Sequence, residues 1–221
     1  MDEIMIDLHT HTLLSDGELL PSELVRRAWA KGYKAIGLTD HVDNSNIDFV
    51  LSRLVRVSKV LNSNWPLKVL PGVEITHAPL KEIAGLVKYA RKNGAQIVIV
   101  HGETVSEPVI PGTNAEAINC RADIVSHPGL ISEKDAKLAK AMGVCLEITT
   151  RRSHSEANRH VRDIAGAAGA KLVLNTDSHS PDDLIDKRSA GSFLSSLGFS
   201  EGDIEIIFSN STALVEKALK R

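Results

Sequence analysis

Short apolar runs alternate along this chain with longer stretches whose apolar residues recur every three or four positions. The first run, Ile4-Met5-Ile6-Asp7-Leu8, reads as a short buried strand. Pro21-Ser22-Glu23 opens a helix, because proline in a first helical turn gives up an N–H that would be unpaired anyway. Leu24, Val25, Ala28 and Trp29 make its apolar stripe, and Gly32 ends it. The same pattern predicts further strands over 35–38, 67–70, 97–100, 123–126, 144–148 and 171–175. Helices are expected over 47–61, 80–92, 114–119, 132–142 and 156–168, the fourth starting at Ser132 with Asp135 three residues on. After the last strand three more are expected, over 181–197, 201–208 and 211–219.

Strand–helix alternation of this kind implies right-handed βαβ units in a parallel sheet covered on both faces. No linker, low-complexity stretch or composition shift interrupts it, so 1–221 reads as one domain. The pattern alone allows an open doubly wound sheet or a closed barrel. What stands at the strand ends favours the barrel.

The first strand runs into His9-Thr10-His11, and residues i and i+2 of an extended chain face the same way. Asp16 follows beside Gly17, a natural turn residue. His41 follows the second strand, Glu74 the third, His101 the fourth, His127 the fifth, and Asp177 with His179 the seventh. Groups at six strand ends can meet at one place on the C-terminal face of a barrel. The expected fold is therefore α/β, a distorted seven-stranded (βα)7 barrel. Nine nitrogen and oxygen groups with no thiolate are too many for one metal ion. They suit two or three divalent ions, Zn²⁺, Mn²⁺ or Fe, with Glu74 bridging. Two ions ~3.5–4 Å apart clamp the attacking and leaving oxygens of a displacement, and a metal lowers the pKa of bound water to ~7. Metal-assisted hydrolysis is the implied chemistry.

Of the remaining histidines, His77 is expected at the surface or behind the ligands, and His154 and His160 in solvent. Asp7 and Asp40 neighbour the ligands; they either orient imidazoles or simply close strand ends. Arg151 and Arg152 follow the sixth strand, the one end without an assigned ligand. Arg151 is the candidate for gripping phosphate oxygens bidentately, whereas Arg121 falls at the opposite barrel end.

The motif set resembles the polymerase and histidinol phosphatase (PHP) family. The opening signature is similar to Asp7-Leu8-His9-Thr10-His11 with Ser15-Asp16-Gly17, and the second to Thr39-Asp40-His41. Gly72-Val73-Glu74, His101, Ser126-His127-Pro128 and Asp177-Ser178-His179 fit the others in order. The resemblance implies a distorted seven-stranded barrel, a trinuclear site and phosphoesterase activity. One ion would take His9, His11, Glu74 and Asp177, a second Glu74, His101 and His127, and a third Asp16, His41 and His179. Many members place histidine where this chain has Asp16, and the harder carboxylate favours Mn²⁺ or Fe over Zn²⁺. A small phosphate monoester is the implied substrate, histidinol phosphate or a nucleotide.

Composition sets further bounds. Hydrophobic content of 43% and charged content of 24% are ordinary for a globular chain. Net charge is −2 with no basic stripe, so a nucleic-acid surface is not expected. Cys120 and Cys145 are isolated, the opening Met-Asp-Glu is no secretory signal, and no apolar run reaches ~20 residues. A reducing, cytoplasmic setting without a membrane is the expectation. An amidohydrolase-type barrel also opens with His-x-His, but no lysine ends a middle strand here. A non-catalytic subunit of a larger assembly would tend to lose ligands and gain basic surface, and this chain does neither.

Overall fold

The computed structural model describes residues 5–220, so Ile4 of the first predicted strand lies outside the described residues. Eight strand segments form one parallel sheet: β1 (Met5–Asp7), β2 (Tyr33–Leu38), β3 (His41–Val42), β4 (Lys68–Ile75), β5 (Ile97–His101), β6 (Ile124–Ser126), β7 (Cys145–Thr149) and β8 (Leu172–Asn175). Segments β2 and β3 are one strand position interrupted by Thr39-Asp40; both pair with β4. That leaves seven positions in sequential order, a nearly closed (βα)7 barrel. The helices between and after them are α1 (Pro21–Ala30), α2 (Ile47–Asn64), α3 (Leu80–Lys92), α4 (Thr113–Asn119), α5 (Glu133–Met142), α6 (Asn158–Ala168), α7 (Lys187–Ser196) and α8 (Glu201–Ala218). Among the described residues no helix is long and apolar enough to cross a membrane.

Three elements depart from the sequence expectation. Strand β4 continues through Pro71-Gly72 instead of ending there. It pairs with β2 up to Pro71, then with β3 and β5 beyond it. Gly72 marks the handover: a Cβ there would lie 2.5 Å from the Ile97 carbonyl oxygen and 2.8 Å from Thr39 Cγ2. At the C-terminal end, the break expected near Ser209-Asn210 is absent and α8 runs unbroken. Asn210 spends its side-chain amide on the Leu172 carbonyl (2.9 Å), so it does not turn the chain. The helix expected from 181 starts only at Lys187, after a 3₁₀ turn at Pro181–Asp183 capped by Ser180.

Two apolar clusters hold the barrel. The larger lies between the strands and the surrounding helices. The smaller fills the barrel: Ile6, Leu8, Ala35, Leu70, Ile97, Ile99, Ile124, Cys145 and Val173 meet Leu214, Val215 and Ala218 of α8. Helix α8 thus plugs the N-terminal end, where each buried aliphatic side chain contributes ~1.5–3 kcal/mol. Lys217 of the same helix reaches buried Asp123 at 3.2 Å.

Among the described residues no strand ladder joins β1 to β8, and side chains help to close the seam. Asn175 Oδ1 accepts from the Leu8 amide (2.8 Å), and Asp7 accepts from Thr176 Oγ1 (2.5 Å) and from the Thr176 amide. A single bridge joins Thr10 to Ser178 above it. Polar bonding at this seam brings the Asp177-Ser178-His179 segment beside His9 and His11.

Candidate metal centre

Along β4 to β8 the inward positions change character at mid-strand. Leu70, Ile97, Ile124, Cys145 and Val173 face the apolar interior. Two or four residues later, on the same face, come Glu74, His101, Ser126, Glu147 and Asn175, all buried and polar. The strand ends add His9 and His11 after β1, His127 after β6, and Asp177 and His179 after β8. Thr10, between the first two histidines, turns away and donates to the Gly37 carbonyl (2.6 Å), which leaves both imidazoles on one side. Gly17 lets the following loop fold down on them: a Cβ there would sit 2.5 Å from the His11 carbonyl oxygen.

All nine residues singled out from the sequence meet at this face. Asp16, His11, His41 and His179 form one group; His9, His11 and Glu74 a second; His9, His127 and Asp177 a third; and His101, His127 and His154 a fourth, each group with ligand atoms within 4.8 Å of one another. Glu74 Oε2 lies 3.2 Å from His9 Nε2 and 3.6 Å from His11 Nε2, and its Oε1 accepts from Ser126 Oγ at 2.6 Å. Asp177 Oδ1 is 3.1 Å from His11 Nε2 and its Oδ2 3.7 Å from His127 Nε2. Asp16 is more open, with Oδ2 3.2 Å from His179 Nε2 and Oδ1 3.6 Å from His41 Nε2. The backbone is held in the left-handed region at His127 (φ 26°) and Asp177 (φ 53°), an uncommon conformation for non-glycine residues that gathers at functional sites.

The donor set fits metal ions. Among the described residues, ten buried side-chain nitrogens and oxygens lack a hydrogen-bond partner, and eight belong to His9, His11, Glu74, His101, His127 and Asp177. Orphaned polar atoms crowded this way are costly unless something satisfies them together. Burial first, then neighbouring imidazoles, push His11 and His127 well below the ordinary histidine range, so their lone pairs are free to ligate. Burial would lift the Glu74 carboxyl, but His9 and His41 hold it well below its usual range. Burial dominates at Asp177 and raises its carboxyl well above the ordinary range.

Three residues at this face escaped the sequence reading. Glu147, in β7, places Oε2 2.8 Å from His9 Nδ1 and accepts from Asn175 Nδ2 at 2.8 Å. A carboxylate only accepts, so His9 Nδ1 carries the proton and Nε2 points into the cluster. The available signal was a lone charge inside an apolar strand. His154 was expected in solvent but is buried, with its ring stacked on His127 at 4.2 Å between centroids. Its Nδ1 lies 2.8 Å from Ser106 Oγ and 3.0 Å from Thr104 Oγ1, and burial pushes its pKa down to about 4. Residues 150–154 fold inward over the barrel mouth before the 3₁₀ turn at Ser155–Ala157, and this takes the ring out of solvent. Glu107 lies 3.4 Å from His101 Nε2 and 3.6 Å from His154 Nε2, and it also takes the exposed His77 at 2.9 Å.

His160 is half-buried on α6 and bonds the Ile131 carbonyl (2.8 Å), away from the centre. Asp7 and Asp40 orient no imidazole. Asp7 closes the β1–β8 seam, and Asp40 accepts from the Thr12 amide and Ser15 Oγ, both at 2.8 Å, fixing the loop under Asp16. Arg151 reaches the mouth, with Nε 3.6 Å from Asp177 Oδ2 and Nη1 3.8 Å from Asp183 Oδ2. It lines both the mouth, of about 100 Å³, and an adjoining cleft of about 350 Å³ shared with Thr150, Arg152 and Ser153.

Relatives agree with this architecture. An uncharacterized protein of Methanocaldococcus jannaschii is 46% identical over 182 residues, covering 81% of this chain and 84% of that one. Ribonuclease P protein component 3 of Methanosarcina barkeri is 30% identical (76% and 71% covered), and a probable phosphatase of Shewanella piezotolerans 29% (80% and 78%). Among solved structures, a chain from archaeal ribonuclease P with mature tRNA matches with a TM-score of 0.73 at 17% identity, covering 97% of this chain and 91% of that one. Histidinol phosphate phosphatase from Lactococcus lactis, complexed with zinc, L-histidinol and phosphate, matches with a TM-score of 0.58 at 18% identity (88% and 94%). The model of the PHP domain matches residues 7–160, and this chain belongs to the PHP domain family.

Proposed function

We propose that this chain is a metal-dependent phosphoesterase that hydrolyses a small phosphate monoester at the C-terminal mouth of its barrel. One observation carries the reading: nine imidazole and carboxylate groups from six strand ends converge there, and among the described residues eight of their buried atoms are left unpaired. The likeness to a probable phosphatase and to a histidinol phosphate phosphatase supports the same chemistry.

Divalent ions held by these groups would supply charge for phosphoryl oxygens and an activated water. The chain's own residues do the rest. Glu147 fixes the tautomer of His9, and Ser126 and His41 steady Glu74. Arg151, 29% exposed at its side chain, offers its guanidinium to the phosphate and faces the cleft where the leaving alcohol sits. The mouth, of about 100 Å³, adjoins the Arg151–Arg152 cleft, of about 350 Å³, and the cleft would take the alcohol part of the ester, a polar group of the size of histidinol or a nucleoside.

The likeness to ribonuclease P component 3 favours a second reading, a subunit of a ribonucleoprotein without catalysis. The complete ligand set and the net charge of −2 support the enzyme instead. The deciding assay follows release of inorganic phosphate from p-nitrophenyl phosphate, histidinol phosphate and nucleoside monophosphates, with and without Mn²⁺. Turnover that needs added ion and favours one ester supports the proposal. No turnover with any ion, together with tight binding of RNA, would transfer the chain to the second reading.

A further inference from the structure

The loop 102–112 after β5 and the loop 150–154 after β7 meet over the barrel mouth at His154. Its ring is 7% exposed and stacked on His127 at 4.2 Å, with His101 edge-on at 5.9 Å. Ser106 and Thr104 occupy Nδ1. Nε2 points the other way. Its neighbouring carboxylate oxygens, Glu107 Oε1 at 3.6 Å and Asp177 Oδ2 at 4.0 Å, are too far for a hydrogen bond. One ligand atom each of His101, His127 and His154 falls within 4.8 Å of the other two. Among them, His101 Nδ1 and both His127 nitrogens are buried without a partner. A histidine packed only for shape has no need of a hydroxyl pair that fixes one nitrogen and leaves the other beside the Glu107 and Asp177 carboxylates, with a ligand atom within 4.8 Å of two further imidazoles.

We propose that His154 is a third imidazole ligand beside His101 and His127, forming a three-histidine zinc position on the β5–β7 side of the mouth. The proposal rests on the metal-dependent reading above and adds a residue and an ion preference to it. Three imidazoles beside the Glu74 carboxylate, whose Oε1 lies 3.7 Å from His127 Nε2, form a donor set that would suit zinc. The group on the other side of the mouth, His11, Asp16, His41 and His179, contains a half-exposed carboxylate and is the more tolerant of harder ions. Ser106 is a positioning residue: its hydroxyl fixes the ring through Nδ1, the outer partner that a ligating histidine requires. The Asp177 carboxylate, 3.7 Å from His127 Nε2, lies between the two sides and links them.

The test is zinc binding to the full chain stripped with chelator, by competition with a chromophoric chelator, beside the visible spectrum of the Co²⁺-loaded protein. His154→Gln should weaken one zinc equivalent by a hundredfold or more and abolish the intense four-coordinate cobalt absorption. Ser106→Ala combined with Thr104→Val, which keeps the ring but removes both hydroxyls at Nδ1, should weaken the same equivalent about tenfold and keep the absorption. Melting of the metal-free proteins checks the fold; if His154→Gln does not fold, the Ser106→Ala/Thr104→Val double variant carries the test alone. Unchanged zinc affinity and cobalt spectrum in the folded variants would overturn the proposal while leaving the metal-dependent reading intact. A wild-type protein that binds no zinc or cobalt at all would overturn both.

Discussion

At the N-terminal end of the barrel the strands turn Leu70, Ile97, Ile124, Cys145 and Val173 inward, and α8 seals them with Leu214, Val215 and Ala218. At the C-terminal end the same strands turn Glu74, His101, Ser126, Glu147 and Asn175 inward. The first end is dry and closed by packing, and none of its cluster residues carries an unpaired buried side-chain atom. The second gathers eight such atoms and two left-handed backbone residues, His127 and Asp177. One period-2 alternation thus serves two purposes within a few residues. The difference teaches that the N-terminal end is held by apolar packing, while the C-terminal end keeps a polar donor set that could hold ions.

Substitutions at the two ends should therefore separate activity from stability. At the polar end, His9→Ala should reduce phosphate release by more than a hundredfold, since even outer-sphere changes cost ten- to a hundredfold. The metal-free variant should melt within a few degrees of the metal-free wild type. At the plug the pattern should invert: Leu214→Ala should lower stability by about 2–5 kcal/mol, read by urea unfolding, with kcat unchanged. A Leu214→Ala protein of full stability, or one that loses turnover while folded, would break the division.

The intermediate layer sharpens it. Glu147→Gln keeps the shape but removes the carboxylate that holds His9 Nδ1–H, and should weaken metal binding ten- to a hundredfold in a calorimetric titration. Adding ions should stabilise the protein from the polar end alone. At a hundred times Kd, one site contributes ~2.7 kcal/mol, so the melting temperature should climb with Mn²⁺ or Zn²⁺ in wild type and not in Glu74→Gln.

The smallest effect concerns the thiols. Burial pushes Cys145, inside the apolar end, up to about 11, and Cys120 likewise. A raised thiol pKa leaves little thiolate at neutral pH, so alkylation of the native protein should be slow and rise about tenfold per pH unit toward pH 11. Leu214→Ala should speed modification of Cys145 by loosening the plug and leave Cys120 unchanged, as peptide mapping would show.

Strand ends were the legible part of this sequence. An imidazole or carboxylate closing an apolar run is a local signal, so His9, His11, Asp16, His41, Glu74, His101, His127, Asp177 and His179 could be found without tertiary information, and the fold brings all nine together. Their convergence also distinguished a barrel from an open sheet. What stayed hidden depends on how loops return. His154 sits among Arg152, Ser153, Ser155 and Glu156, a context that reads as a solvated helix start. Only the inward fold of residues 150–154 and the hydroxyls of Thr104 and Ser106 bury it. Glu107 lies in a loop with no periodicity at all. Glu147 was visible as a charge in an apolar strand, but its purpose depends on His9, 138 residues away. The continuity of α8 through Ser209-Asn210 was likewise decided by a distant partner, the Leu172 carbonyl.

Elemental analysis of protein purified without chelator, paired with phosphate release by the same sample and by His9→Ala, tests most directly whether this mouth is a metal-dependent phosphoesterase site. Two to three equivalents of divalent metal in wild type, fewer in the variant, and turnover that falls with them are the expected result. Substoichiometric metal in a folded wild-type protein that releases no phosphate with Zn²⁺, Mn²⁺ or Fe²⁺ supplied would contradict it.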